Sequence, residues 1–208
     1  MKIAVIAAGG RTGRVFVSAA LAAGHSVRAG VLANDNFPQH PSLQVITCDA
    51  TNGDDLTRLL SGQDVIASFI GHTKGSDPNV QTTAMQVVTD VMNKLSLKRI
   101  VSLTGSGVRF PGDKITLIDR ILNLSIGFID PKRIADGRRH VQVLEHSGLD
   151  WTVIRVLKLQ NTQPKPYSLL EHGPTKPYVS RIEVARAVLQ VIEEQSFIRQ
   201  APIIGKPE

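Results

Sequence analysis

The residues best suited by type and spacing to chemistry stand near the N-terminus. The run Ala7-Ala8-Gly9-Gly10-Arg11-Thr12-Gly13 follows a short apolar stretch and opens at once into a helical pattern. Small residues at such a turn let backbone N–H groups approach a pyrophosphate, which the positive end of the helix attracts. Ala8, Gly10, Arg11, Thr12 and Gly13 are therefore expected to bind a dinucleotide, with Gly13 also letting helix and strand pack closely. A glycine triplet alone is weak, but at the first strand-to-helix junction of a repeating chain it is a strong signal. No Cys/His or His-x-x-x-His spacing suggests a metal ion, and no Ser-His-Asp order sits on a nucleophile-elbow pattern.

Alternating elements must position that loop. Residues 3–7 read as a strand buried on both faces, and 12–23 as a helix with Gly24 at its C-cap. Strands are expected at 26–31, 43–47, 64–69, 99–103, 151–156 and 202–204, and helices at 54–60, 79–95, 131–146 and 180–194. Residues 110–130 are ambiguous, although Leu117, Ile118, Ile121 and Leu122 suggest a helix. The proline-rich stretch 163–177 reads as a long connection, and connections that long are commonly functional. Strands alternating with helices in this way give a doubly wound parallel α/β sheet with right-handed crossovers. There is no repeat and no linker, so residues 1–208 form one domain.

Composition narrows the function. The chain is 42% hydrophobic and 20% charged, as in ordinary globular proteins, and its apolar runs fall short of the ~18–20 residues that span a bilayer. The apolar N-terminus resembles a signal peptide only superficially, because it passes without a gap into the amphipathic pattern of the first helix. Cys48 is the only cysteine, which fits a reducing, cytoplasmic setting. The net charge of +6 is carried by scattered side chains, and one Trp, two Tyr and six Phe are not interleaved with them. That pattern suits an anionic cofactor better than nucleic acid.

The loop resembles the G-A-T-G-x-T-G fingerprint of atypical short-chain dehydrogenase/reductases, with Ala7 replacing the first glycine. The likeness continues through Cys48-Asp49-Ala50-Thr51, residues 60–66, residues 147–155 and residues 179–185. It is closest to the NmrA-like NAD(P)H-binding group, and within it to the flavin reductase/biliverdin reductase B type. The resemblance implies a Rossmann fold, with Asp49 and Ala50 flanking the adenine and Phe69, Ile70 and Gly71 beside the ribose and nicotinamide. Asp49 reads equally well as a turn residue before a helix. Arg11 fills a position that reads a 2′-phosphate, and no acidic residue closes the second strand, where Leu32 stands and Asp35 comes three residues late. NADP is thus expected over NAD.

Larger members of the resembled group use a Tyr-x-x-x-Lys pair, in which lysine lowers the tyrosine pKa. Here Tyr167 is followed four residues later by Glu171 and Tyr178 by Ile182, so neither fits. The resemblance implies hydride transfer without that pair, with a hydroxyl-bearing stretch after the fifth strand, residues 102–107, lining the nicotinamide. Leu103 and Thr104 are expected to touch the cofactor, and Thr104 and Ser106 to act in catalysis. Ser and Thr at strand ends also commonly just satisfy backbone groups. His72 follows Gly71 and reads as an exposed loop histidine within reach of the site. Phe110 and Tyr167 are candidate stacking faces for the acceptor. The resulting expectation is an NAD(P)H-dependent reductase of a small planar acceptor such as a flavin, quinone or tetrapyrrole. The alternative is a non-catalytic redox sensor that binds the dinucleotide and a protein partner.

Overall fold

The structure is a computed structural model describing residues 1–33, 36–73, 75–121, 124 and 131–207. Asp35, Leu122 and part of the ambiguous 110–130 stretch lie outside the described residues. The chain forms β1 (Lys2–Ile6), α1 (Arg11–Ala22), β2 (Ser26–Val31), β3 (Leu43–Thr47), α2 (Gly53–Leu60), β4 (Val65–Ser68), α3 (Val80–Lys94) and β5 (Arg99–Gly105). Then follow α4 (Pro131–His146), β6 (Asp150–Val156), β7 (Lys158–Gln160), β8 (Ser168–Leu170), β9 (Tyr178–Ser180), α5 (Arg181–Glu193) and β10 (Ile203–Gly205). Residues 117–121 are also helical.

Eight strands form one sheet in the order β3-β2-β1-β4-β5-β6-β10-β8, parallel throughout except for β8 against β10. The strand order reverses between β1 and β4, which opens a crevice at their carboxyl ends. Alternation along the strands feeds two cores. Ile3 and Val5 pack with Phe16 and Val17 of α1 and Val184 and Val188 of α5, whereas Ala4 and Ile6 face Leu56 and Leu59 of α2 and Met85 and Val88 of α3. Helices therefore cover both faces, as apolar strands of this kind require.

Two segments depart from the sequence reading. The proline-rich connection contains β8, and β7 and β9 pair in a separate two-stranded parallel sheet. Three-residue strands are too short to show a period-2 pattern. β5 runs on to Gly105, so Thr104 belongs to the strand, with Ser106 just beyond it.

Candidate functional site

The turn after β1 is built around backbone crowding. A Cβ on Gly13 would lie 2.5 Å from the Ala7 carbonyl oxygen and 2.8 Å from Ala8 Cα, so only glycine fits between strand and helix. Ala7 itself has φ 57°, the left-handed region in which the resembled fingerprint places glycine. Gly10 is the N-cap of α1 with φ −66° and ψ 158°, and it offers no capping side chain. No acidic residue occupies the first turn. The first N–H groups of the helix thus face outward with the positive end of its dipole behind them, an arrangement suited to an anion. A dinucleotide pyrophosphate fits this cradle.

A cleft of about 340 Å³ opens beside that helix end. Gly10, Arg11, Thr12 and Gly13 line one side, and Phe69, Ile70, Gly71 and His72 follow β4 on another. Leu103, Thr104 and Ser106 come from the end of β5, Ile134 from α4, and Val156, Leu157 and Leu159 from β6 and β7. The volume falls within the usual range for small-molecule sites, ~300–1,000 Å³. Phe69 is held by Phe16 of α1, with ring centroids 5.1 Å apart, so the wall after β4 is fixed by the core. α4 approaches β5 closely at Gly137, where a Cβ would meet Thr104 Oγ1 at 2.7 Å.

Most of the sequence-derived residues converge here, and some do not. Ala8, Asp49 and Ala50 lie outside the cleft lining, Ala8 being fully buried in the core beneath α1. Asp49 Oδ1 accepts from Thr51 N and Thr51 Oγ1, each at 2.8 Å, which shapes the turn into α2. Ala50 packs on the α2–α3 core. The Ser106 hydroxyl donates to Asp119 at 3.3 Å, and Asp119 in turn pairs with Arg109. Phe110 lies beneath the buried Arg155 guanidinium, 4.8 Å from ring centroid to carbon, and Tyr167 packs against the α1–α5 core. Neither ring lines the cleft, whose apolar wall is made instead by Leu103, Val156 and Leu159.

The arginines separate in space. Arg11 lines the cleft together with Arg181, whose guanidinium is pushed below its ordinary range by burial and then by the Arg11 charge. Arg14 instead reaches the Asn36 carbonyl at 3.3 Å and lies 4.8 Å from the Phe37 ring, under the loop that follows β2. Cys48 is buried, and burial together with Asp55 and Asp49 pushes its thiol up to about 12, so it is not a nucleophile.

Sequence reasoning missed one feature of the cleft wall. His72 is not an exposed loop histidine: its side chain is only 8% exposed, and its Nε2 lies 3.0 Å from Asp136 Oδ2. Asp136 is fully buried on α4 and also accepts from Gln81 N at 3.0 Å, Thr82 N at 3.1 Å and Thr82 Oγ1 at 2.5 Å. Its carboxylate caps α3 from another helix, where Asn79 provides no side-chain cap. The partners are 64 and more than 50 residues apart, so no local spacing announces them.

A family model described as NAD(P)H-binding matches residues 7–195. The chain is 26% identical over 222 residues to an uncharacterized chloroplastic protein of Arabidopsis thaliana, covering 100% of this chain and 78% of that one. A short-chain dehydrogenase/reductase from Veillonella parvula, solved in complex with NADP, superposes with a TM-score of 0.83 at 18% identity, over 99% of this chain and 94% of the other. An anaerobillin reductase from Escherichia coli O157:H7 gives a TM-score of 0.79 at 17% identity, over 100% and 98% of the two chains.

Proposed function

We propose, for a chain that belongs to the NAD(P)H-binding family, that it is a reductase of a planar conjugated acceptor, working without a tyrosine–lysine pair. The observation that carries this reading is the union, in one cleft, of an uncapped helix N-terminus with an aliphatic shelf at the strand ends. The first turn of α1 holds the pyrophosphate, and Phe69, Ile70 and Gly71 flank the ribose and nicotinamide. When bound, the nicotinamide supplies a hydride. The chain's own part is to orient the cofactor, exclude water with Leu103, Val156 and Leu159, and receive a flat acceptor on that shelf. Neither tyrosine precedes a lysine by four residues, so the proton has another source. Thr104 and Ser106 line the inner wall of the cleft; the Ser106 hydroxyl donates to Asp119, and its oxygen can accept from a bound molecule.

NADP is the favoured cofactor. The Veillonella neighbour was crystallised with it, and two arginines, Arg11 and Arg14, flank the loop with no acidic side chain in the first turn of α1. A cytoplasmic setting is proposed from the single cysteine, while the Arabidopsis relative is chloroplastic. Among the described residues no helix is long and apolar enough to cross a membrane.

The test is fluorescence titration with NADPH and NADH, followed by an acceptor screen at the nicotinamide absorbance with flavin mononucleotide, simple quinones and biliverdin-like tetrapyrroles. Gly10→Val is expected to abolish dinucleotide binding, because its side chain enters the space in front of the helix N-terminus. A partner-binding sensor is the second reading. It is favoured by the exposed apolar residues Leu117, Ile118, Ile121 and Leu124, since contiguous apolar surface commonly marks an interaction site. Tight NADPH binding with no turnover on any acceptor would select the sensor.

A further inference from the structure

We propose that His72 is the proton donor of this site and that the buried Asp136 carboxylate is its positioning residue, an inference that rests on the reductase reading above. Among the described side chains lining the cleft, only His72 ordinarily changes charge near neutral pH. Its imidazole is fixed on one side. Nε2 is hydrogen-bonded to the Pro78 carbonyl at 3.2 Å, and the Asp136 carboxylate stands beside it as an ion-pair partner, Oδ2 lying 3.0 Å away. The other ring nitrogen, Nδ1, has no protein partner among the described residues, and it is not sealed from solvent. A ring held by one nitrogen and open at the other is the arrangement by which a carboxylate orients a catalytic histidine and stabilises its protonated form.

Capping α3 does not by itself account for the pair. Gln81 N, Thr82 N and Thr82 Oγ1 already give Asp136 three donors, all from α3. The imidazole adds an ion-pair contact to these three, and it comes from the cleft wall. The charged side chain that α4 contributes to the cleft lining is Arg133, Asp136 lying buried behind His72.

The chemistry balances as follows. Hydride adds to a carbon of the conjugated acceptor, and the displaced electron pair moves to the distal heteroatom. That atom takes the proton from His72 Nδ1. The imidazole is left neutral, with its Nε2–H still donated to the Pro78 carbonyl beside the Asp136 carboxylate, and it regains a proton from solvent. The net change is reduction of the acceptor by two electrons and two protons, with NAD(P)H oxidised.

His72→Gln in the full chain tests the role, with NADPH oxidation followed against a simple quinone and a biliverdin-like tetrapyrrole. General acid catalysis contributes typically ~10²–10⁴-fold, so kcat should fall about 100-fold. NADPH affinity by fluorescence and acceptor KM should stay within about twofold, because no uniform binding is lost, and added imidazole should restore part of the rate. Asp136→Asn should lower kcat less than His72→Gln. The second readout needs no turnover: in ¹⁵N-histidine-labelled parent protein without NADPH, the His72 Nδ1 resonance should move when flavin mononucleotide is added. Unchanged kcat in His72→Gln, loss of NADPH binding in step with kcat, or an Nδ1 resonance indifferent to the acceptor would each overturn the proposal while leaving the reductase reading in place. A parent protein that turns over no acceptor overturns both.

Discussion

Ala7 and Gly13 sit on opposite sides of the same crowded turn, and their demands differ. Ala7 is in the left-handed region, which costs an L-residue roughly 1–2 kcal/mol. Ala7→Gly relieves that strain but frees the unfolded chain by about 0.4–1 kcal/mol, so stability should rise by no more than about 1.6 kcal/mol. Gly13→Ala drives a Cβ to 2.5 Å from the Ala7 carbonyl, and it should cost roughly 1–3 kcal/mol together with NADPH affinity. Urea unfolding and NADPH titration of both variants check this; a Gly13→Ala protein equal to the parent in both would show that the turn is not as tight as drawn. His140 offers a second test at this scale. It is fully buried, its Nε2 lies 3.0 Å from Ser102 Oγ, and burial lowers its pKa to about 4 although Asp136 opposes the shift. The unfolded chain then binds more protons than the folded one between about pH 6.5 and 4. Stability is present above the unfolded value and is lost as pH falls through that window, by up to about 3 kcal/mol. His140→Asn should flatten the slope of unfolding free energy against pH between 6.5 and 4, and an unaltered slope would assign it to other groups.

Elements carried by local pattern were the legible ones. β1, α1, β2, β3 and the helices α2 to α5 show periodic apolar residues and turn signals, and the structure shifts their ends by a residue or two. The loop that closes the cleft after β5 was not legible, because its order comes from distant partners. Arg155 on β6 is fully buried and donates through Nη2 to Asp113 Oδ1 at 2.9 Å, to the Glu171 carbonyl at 3.0 Å and through Nε to the Ala201 carbonyl at 2.6 Å. Burial raises the Asp113 carboxyl, but the hydrogen bonds from Arg155 and Phe110 N–H and the nearby Arg155 and Arg109 charges hold it below its ordinary value. Nothing in the local spacing around Asp113 or Arg155 signals a pairing across 42 residues. The same holds for Glu183. It follows Ser180 at capping-box spacing, and the Ser180 hydroxyl accepts from Glu183 N at 3.1 Å. Its carboxylate turns instead to Lys176 Nζ and Lys165 N, each at 2.7 Å, and so ties down the proline-rich connection. Asp113→Asn leaves the buried guanidinium without its counter-charge and should destabilise the fold by about 3–5 kcal/mol. The denaturation midpoint reads the effect, and a loss below about 1 kcal/mol would mean that Arg155 finds water or another acceptor.

At the scale of the whole molecule, the cleft joins parts that the fold otherwise keeps separate. It draws on α1, the segment after β4, the end of β5, α4 and the β6–β7 junction, from both sides of the switch point. A dinucleotide seated there bridges those elements only in the folded state, so it must stabilise all of them together. At a free concentration of 100 times Kd the gain is about 2.7 kcal/mol, which for a chain of this size raises Tm by roughly 5–10 °C. The two arginines should divide the effect. The sequence reading gave the 2′-phosphate to Arg11; the structure puts Arg11 beside Arg181 in the cleft and Arg14 under the segment after β2, which makes Arg14 a second candidate for that phosphate. Arg14→Ala should therefore weaken NADPH by roughly 1.5–3 kcal/mol more than NADH, the size of a charge-assisted hydrogen bond. Arg11→Ala should weaken both cofactors alike, because the pyrophosphate is common to them. Thermal shifts with each cofactor on each variant separate the two roles. If Arg11→Ala removes the NADPH shift and spares that of NADH, the 2′-phosphate lies on the cleft side of α1. The adenosine half would then have to run towards α5 instead of β2.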